Sequence, residues 1–146
     1  ASSAEDGDRL RRLDLRPDPE GRLRINEVYC HDNTWRPTLE ALLDASDTVL
    51  MDLRGFSTHN AGCIFELGQL VRRLASENVV LVCDKTTDLV LLRQILGNAW
   101  TAARREGHAR GAAQVSIVRV ERQARSELDL LMHCLVREPQ SINAPA

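Results

Sequence analysis

The sequence predicts an α/β fold of three layers, in which a mostly parallel sheet of four to five strands carries helices on both faces. Short apolar runs recur at residues 23–30, 48–51, 79–83 and 115–120, each closed by a polar turn. Between them lie longer stretches whose apolar residues return every three or four positions, the spacing of an amphipathic helix. Strand and helix alternate along the chain, four of each, and that order builds a parallel sheet through right-handed crossovers.

With 146 residues, 43% of them hydrophobic, the chain has enough apolar side chains for one core. Residues 1–8 are small and acidic and are expected to be disordered, 9–138 form a single α/β domain, and 139–146 a loose tail. The net charge of -2 points to neither nucleic acid nor an anionic membrane surface as partner. Aromatics are few (Tyr29, Trp35, Phe56, Phe65, Trp100), which argues against a stacking platform for single-stranded nucleic acid. Cys30, Cys63, Cys83 and Cys134 stand singly, with no C-x-x-C pair and no histidine at metal spacing. No metal site is expected, and the thiols read as reduced in a cytoplasmic setting. No apolar run approaches membrane-spanning length and no signal peptide is present. The chain starts with Ala, which suits a processed protein or a soluble piece of a larger one.

Taken in order, residues 9–16 alternate leucine with charge and are a candidate edge strand, and 17–21 are a turn by composition. The first strand spans 23–30 and ends in the turn 31–34. Thr34 can cap the helix that follows, with Pro37 in its first turn and Leu39, Leu42 and Leu43 on its apolar stripe. The second strand is the run at 48–51, and its helix carries Ile64, Leu67, Leu70, Val71 and Leu74 on one face. The third strand is 79–83; Asp88 caps a helix whose apolar face includes Leu92, Ile95, Leu96, Ala99 and Trp100. A loop at 104–111 leads to a strand at 115–120, and Ser126 caps a last helix through 136, with Leu128, Leu131, Met132 and Leu135 on its apolar face.

The segment 48–68 organises the rest, because polar residues gather where its strand meets its helix. Outside the carboxyl end of a strand in an open α/β sheet is where ligands bind, which makes Asp52, Arg54, Phe56, Ser57, Asn60 and Glu66 the candidate site. At 100° per residue Glu66 falls at the edge of the apolar face. A carboxylate there is partly desolvated, and its pKa can rise toward the range useful for general-acid or nucleophilic work. It can equally be an ordinary surface glutamate.

Residues 46–57, followed by Gly62-Cys63-Ile64-Phe65-Glu66-Leu67, resemble the strand-to-helix step of TIR domains, where a helix of the pattern Ser-x-Trp-Cys-x-x-Glu-Leu follows the strand. Cys63, Glu66 and Leu67 match that pattern, Gly62 stands where it has Trp, and the likeness covers roughly residues 25 to 100. The resemblance implies a flavodoxin-like fold and, as in NAD-cleaving members, a catalytic Glu66. The segments 52–56 and Gly62-Cys63-Ile64-Phe65-Glu66-Leu67-Gly68 are also similar to nucleoside 2-deoxyribosyltransferases, whose Gly-Thr-x-x-Glu-x-Gly helix supplies the glutamate that attacks the sugar carbon.

Both resemblances imply cleavage of an N-ribosyl bond by one helix carboxylate, which stabilises or traps oxocarbenium character on the ribose. Asp52 is then a second carboxylate or orients a ribose hydroxyl; its alternative role is to bond the turn's backbone. Ser57 or Asn60 caps the helix and can meet a substrate hydroxyl. Arg54 either holds a phosphate or is a solvated turn arginine, Trp35 either stacks on a base or packs in the core or against the cap, and Asp32 and Asn33 can line the pocket; Asp84 either contacts ligand or closes its own turn. His31, His59, His108 and His133 belong to no recognisable nucleophile motif. No cofactor is expected, NAD being a substrate if the chain is an enzyme. Three functions stay open: an N-ribosyl-cleaving enzyme centred on Glu66, a non-catalytic TIR-like module that senses a nucleotide or self-associates as a homo-oligomer, and a flavodoxin-like domain with an unrelated ligand.

Overall fold

The computed structural model describes residues 16–22, 25–31, 34–74, 78–108, 115–121 and 125–135. Its elements are α1 (Trp35–Asp44), β1 (Val49–Asp52), α2 (Ala61–Arg73), β2 (Val79–Cys83), α3 (Leu89–Arg105), β3 (Ser116–Arg119) and α4 (Arg125–Leu135). They fall into two compact units, residues 1–46 and 47–146.

In the first unit the expected strand at 23–30 does not form: residues 25–30 carry no strand, and Ile25 and Tyr29 are 91% and 80% exposed. Alternation would put Ile25 and Tyr29 on one face with the charged Glu27 between them, and Val28 and Cys30 on the other, but no described strand pairs with the segment. Residues 23 and 24, like the candidate edge strand at 9–15, lie outside the described residues. α1 forms as expected, but Thr34 does not cap it with its side chain. Its hydroxyl turns back, accepting from the His31 N–H at 3.2 Å and donating to the His31 carbonyl at 3.3 Å.

The second unit contains a parallel sheet of three strands among the described residues, in the order β1-β2-β3. Val49–Asp52 pair with Val79–Val82, and Val80–Cys83 with Ser116–Arg119. Spatial order follows chain order, so successive right-handed crossovers carry α2 and α3 to the same face of the sheet. There Leu67, Leu70, Val71 and Leu74 of α2 and its end meet Leu96 of α3 and Val79 and Leu81 of β2 around a residual void of about 10 Å³. β2 is buried on both sides, as its unbroken apolar run requires. α4 packs against β3 and β2 and, with Val82, borders the other face.

The ends of these helices explain their lengths. Asp88 caps α3, its carboxylate accepting from the Leu91 N–H at 2.9 Å. α3 runs past the expected loop start to Arg105 and stops at Gly107, whose φ is +72°. The His108 N–H reaches the Ala103 carbonyl at 2.8 Å and the Gly107 N–H the Arg104 carbonyl at 3.2 Å, which is a Schellman closure. α4 begins at Arg125, so Ser126 lies inside it and is not its cap; its expected last residue, 136, is outside the described set.

Candidate functional site

β1 ends at Asp52, and the chain turns at once. The Phe56 N–H donates to the Leu53 carbonyl at 3.0 Å, closing a four-residue turn whose third residue, Gly55, has φ +74°. A residue with a Cβ rarely takes that conformation, so glycine belongs there. This turn is tied to the one after β2: the Thr87 hydroxyl donates to the Leu53 carbonyl and the Asp88 N–H to the Phe56 carbonyl, both at 2.9 Å. The paired turns form a firm rim at the carboxyl end of the sheet.

On that rim Asp52 and Arg54 bind each other. The Arg54 Nε donates to Oδ1 and Oδ2 of Asp52 at 2.9 and 3.0 Å, its Nη2 donates to Oδ2, and its backbone N–H donates to Oδ1 at 3.0 Å. This hydrogen-bonded guanidinium holds the Asp52 carboxyl below the usual carboxylate range. Asp84 closes its own turn, Oδ1 accepting from the Thr86 N–H at 2.9 Å and the Thr86 hydroxyl at 2.6 Å, and these bonds also depress its pKa.

Phe56 is 2% exposed, so its ring belongs to the core and not to a ligand surface. Neither Ser57 nor Asn60 caps α2: the Asn60 Oδ1 turns back to accept from the Ser57 N–H at 2.9 Å and the Ser57 hydroxyl at 3.2 Å. The Ser57 hydroxyl also lies 3.4 Å from Nδ1 of His59, a contact the sequence reading missed. All of this is on an exposed turn. Trp35 sits in the first unit, with the Arg36 guanidinium 5.4 Å from its ring centre, and Asp32 and Asn33 lie outside the described residues.

Glu66 is half-buried on α2, one residue before the buried Leu67. Among the described residues no cation or hydrogen-bond donor pairs its carboxylate, and burial lifts its pKa above the ordinary carboxylate value. Burial likewise raises the Cys63 thiol, with the Glu66 charge adding to the effect.

The sheet face opposite α2 and α3 is where a ligand-sized space opens. Because strand side chains alternate, Leu50 and Asp52 share this face with Val82 and Val120. With Arg54 and with Glu127, Leu128 and Leu131 of α4 they line a groove of about 360 Å³. The groove is apolar along its length, and the Asp52–Arg54 pair is on its wall. Glu127 is tied down within it, accepting from the Glu121 N–H at 2.9 Å.

Two of the expected site residues, Asp52 and Arg54, therefore meet in one cavity, while Glu66 does not line it. Leu50, Val82, Val120, Glu127, Leu128 and Leu131 were missed as site residues. The i, i+2 pairing of Leu50 with Asp52 and the i, i+3 pairing of Leu128 with Leu131 were the available signals. Among the described residues no cluster of three or more His, Cys, Asp or Glu can hold a metal ion, and no helix is long and apolar enough to cross a membrane. No family model, curated protein or solved structure matches the chain.

Proposed function

We propose that this chain is a nucleoside- or nucleotide-binding module whose ligand seats in the groove between the sheet and α4. One observation carries the reading: an apolar groove of about 360 Å³ opens at the carboxyl end of a parallel sheet, with Asp52 and Arg54 on its wall. Small-molecule sites are concave and mostly apolar, with a few placed polar groups, typically within roughly 300–1,000 Å³. A flat base suits the space between Leu50, Val82 and Leu131, and a ribose hydroxyl suits the Asp52 carboxylate. A flavodoxin-like sheet of four to five strands and a TIR-like strand-to-helix step belong to the same proposal.

Calorimetric titration with the four ribonucleosides tests it. Binding is expected to wild type and to be lost in Leu128→Trp, which fills the groove from an exposed position, 59% accessible, and leaves the melting temperature little changed. Binding that survives Leu128→Trp, or no binding to wild type, would overturn the reading.

A second reading, hydrolysis of an N-ribosyl bond by Glu66 with NAD as substrate, is favoured by the half-buried carboxylate that lacks a partner among the described residues. Chromatography of NAD incubated with wild type and with Glu66→Gln decides it. Free nicotinamide from wild type alone supports catalysis, and its absence from both leaves binding as the function.

A further inference from the structure

The groove wall carries a guanidinium with one edge already committed, and this bears on which form of a ligand can enter. Arg54 presents Nε and Nη2, the edge that ordinarily grips a phosphate or carboxylate in a two-pronged fashion, to Asp52 instead. The two are only two residues apart, and the Arg54 N–H bonds the same carboxylate, so the pairing is built into the turn. Asp84, on the neighbouring turn, is also close enough to act on the Arg54 charge. Among the described charged residues that line the groove, Asp52 and Glu127 carry negative charge and Arg54 positive charge. A phosphate arriving here would have to displace Asp52 from that edge or settle for the remaining Nη1 and Nη2 N–H groups, and in either case it lies near the Asp52 carboxylate. Two like charges a few ångströms apart repel.

We propose that Asp52 is a specificity residue of this groove: by occupying the Nε–Nη2 edge of Arg54 and offsetting its charge it weakens the hold on ligand anions, so the groove takes an uncharged nucleoside in preference to its phosphorylated form. This rests on the groove being the nucleoside site. The remaining lining is consistent with it, since Leu50, Val82, Val120, Leu128 and Leu131 offer an apolar bed, with no second cation among the described lining residues. Asp52 is left with acceptor capacity toward solvent, because both it and Arg54 are close to half exposed, at 47% and 44%. A ribose hydroxyl can donate to that carboxylate without dislodging Arg54, whereas a phosphate cannot take the Nε–Nη2 edge of Arg54 without dislodging Asp52.

The experiment compares wild type, Asp52→Asn, Asp52→Asn/Arg54→Gln and Asp84→Asn, each checked by circular dichroism. Inorganic phosphate is titrated by phosphorus NMR, and the tightest-binding ribonucleoside and its 5′-monophosphate by calorimetry. Wild type is expected to bind the nucleoside at least tenfold tighter than the monophosphate. Asp52→Asn is expected to gain about tenfold in affinity for inorganic phosphate and to lose that discrimination, which is the size of one charge-assisted bond. The gain should vanish in the double variant. Asp84→Asn, which removes a nearby charge without freeing Arg54, should change phosphate affinity less than threefold. A monophosphate that binds wild type as tightly as its nucleoside, or equal phosphate affinity in wild type and Asp52→Asn, would overturn the role given to Asp52. Failure of every nucleoside to bind, with the phosphate gain still present, would remove the nucleoside reading and leave the withheld arginine standing.

Discussion

The two faces of the sheet differ in how they are filled. Beneath α2 and α3 the void is about 10 Å³, too small to hold a water comfortably, whereas between the sheet and α4 it is about 360 Å³. The same β2 supplies both faces, Leu81 to the closed one and Val82 to the open one. The difference comes from the helices. α2 and α3 bury Leu67, Leu70, Leu92 and Leu96 almost completely, while α4 keeps Leu128, Leu130 and Met132 more than half exposed. The closed face carries stability, and under the binding proposal the open one takes the ligand, so substitutions on the two should behave differently.

The largest expected effect is on the closed face. Leu67→Ala removes a fully buried side chain and is expected to cost about 2–5 kcal/mol by denaturant unfolding. Leu128→Ala on the open face is expected to cost no more than about 0.5 kcal/mol; comparable losses would break the comparison. The rim that joins the faces comes next. Thr87→Val removes the hydroxyl that donates to the Leu53 carbonyl, which keeps the Phe56 N–H, and takes from the Asp84 N–H the acceptor it reaches at 3.0 Å, which is expected to cost about 1–3 kcal/mol. Asp88→Ala removes the α3 cap, at about 1 kcal/mol.

The smallest effect concerns Glu66, and its sign follows from linkage. Burial raises the folded-state pKa, so the native chain holds this proton more readily than the unfolded chain. Stability from this group is fully present below the ordinary carboxylate pKa and is lost as pH rises through the raised value. Glu66→Gln should therefore be more stable than wild type at neutral pH, with the advantage shrinking as the pH falls through that interval. An advantage independent of pH, read from melting curves across the range, would rule out burial as its source.

Much of this layout was legible in the residues. β2 was read to the residue because five consecutive apolar positions bounded by polar ones admit little else, and Asp88 was read as a cap because a helical stripe begins just after it. The strand expected at 23–30 was misread because β-branched and aromatic residues do not say whether a neighbouring strand is there to pair with, and among the described residues none pairs with 25–30. Caps at Thr34 and Asn60 failed for a local reason: each side chain found a backbone partner behind it, at His31 and Ser57, before reaching forward into the helix. The Asp52 and Arg54 part of the candidate site was visible, since polar residues after a strand mark its carboxyl end. The apolar wall of the groove was not, because Leu50, Val82 and Leu131 each look like core residues until the sheet and α4 are brought together.

Methyl NMR during titration with a ribonucleoside tests the binding claim most directly, since it reads both faces in one experiment. The methyl signals of Leu50, Val82, Val120, Leu128 and Leu131 are expected to shift while those of Leu67, Leu70, Val79 and Leu81 stay in place. Shifts confined to the closed face, or none at saturating nucleoside, would contradict the account.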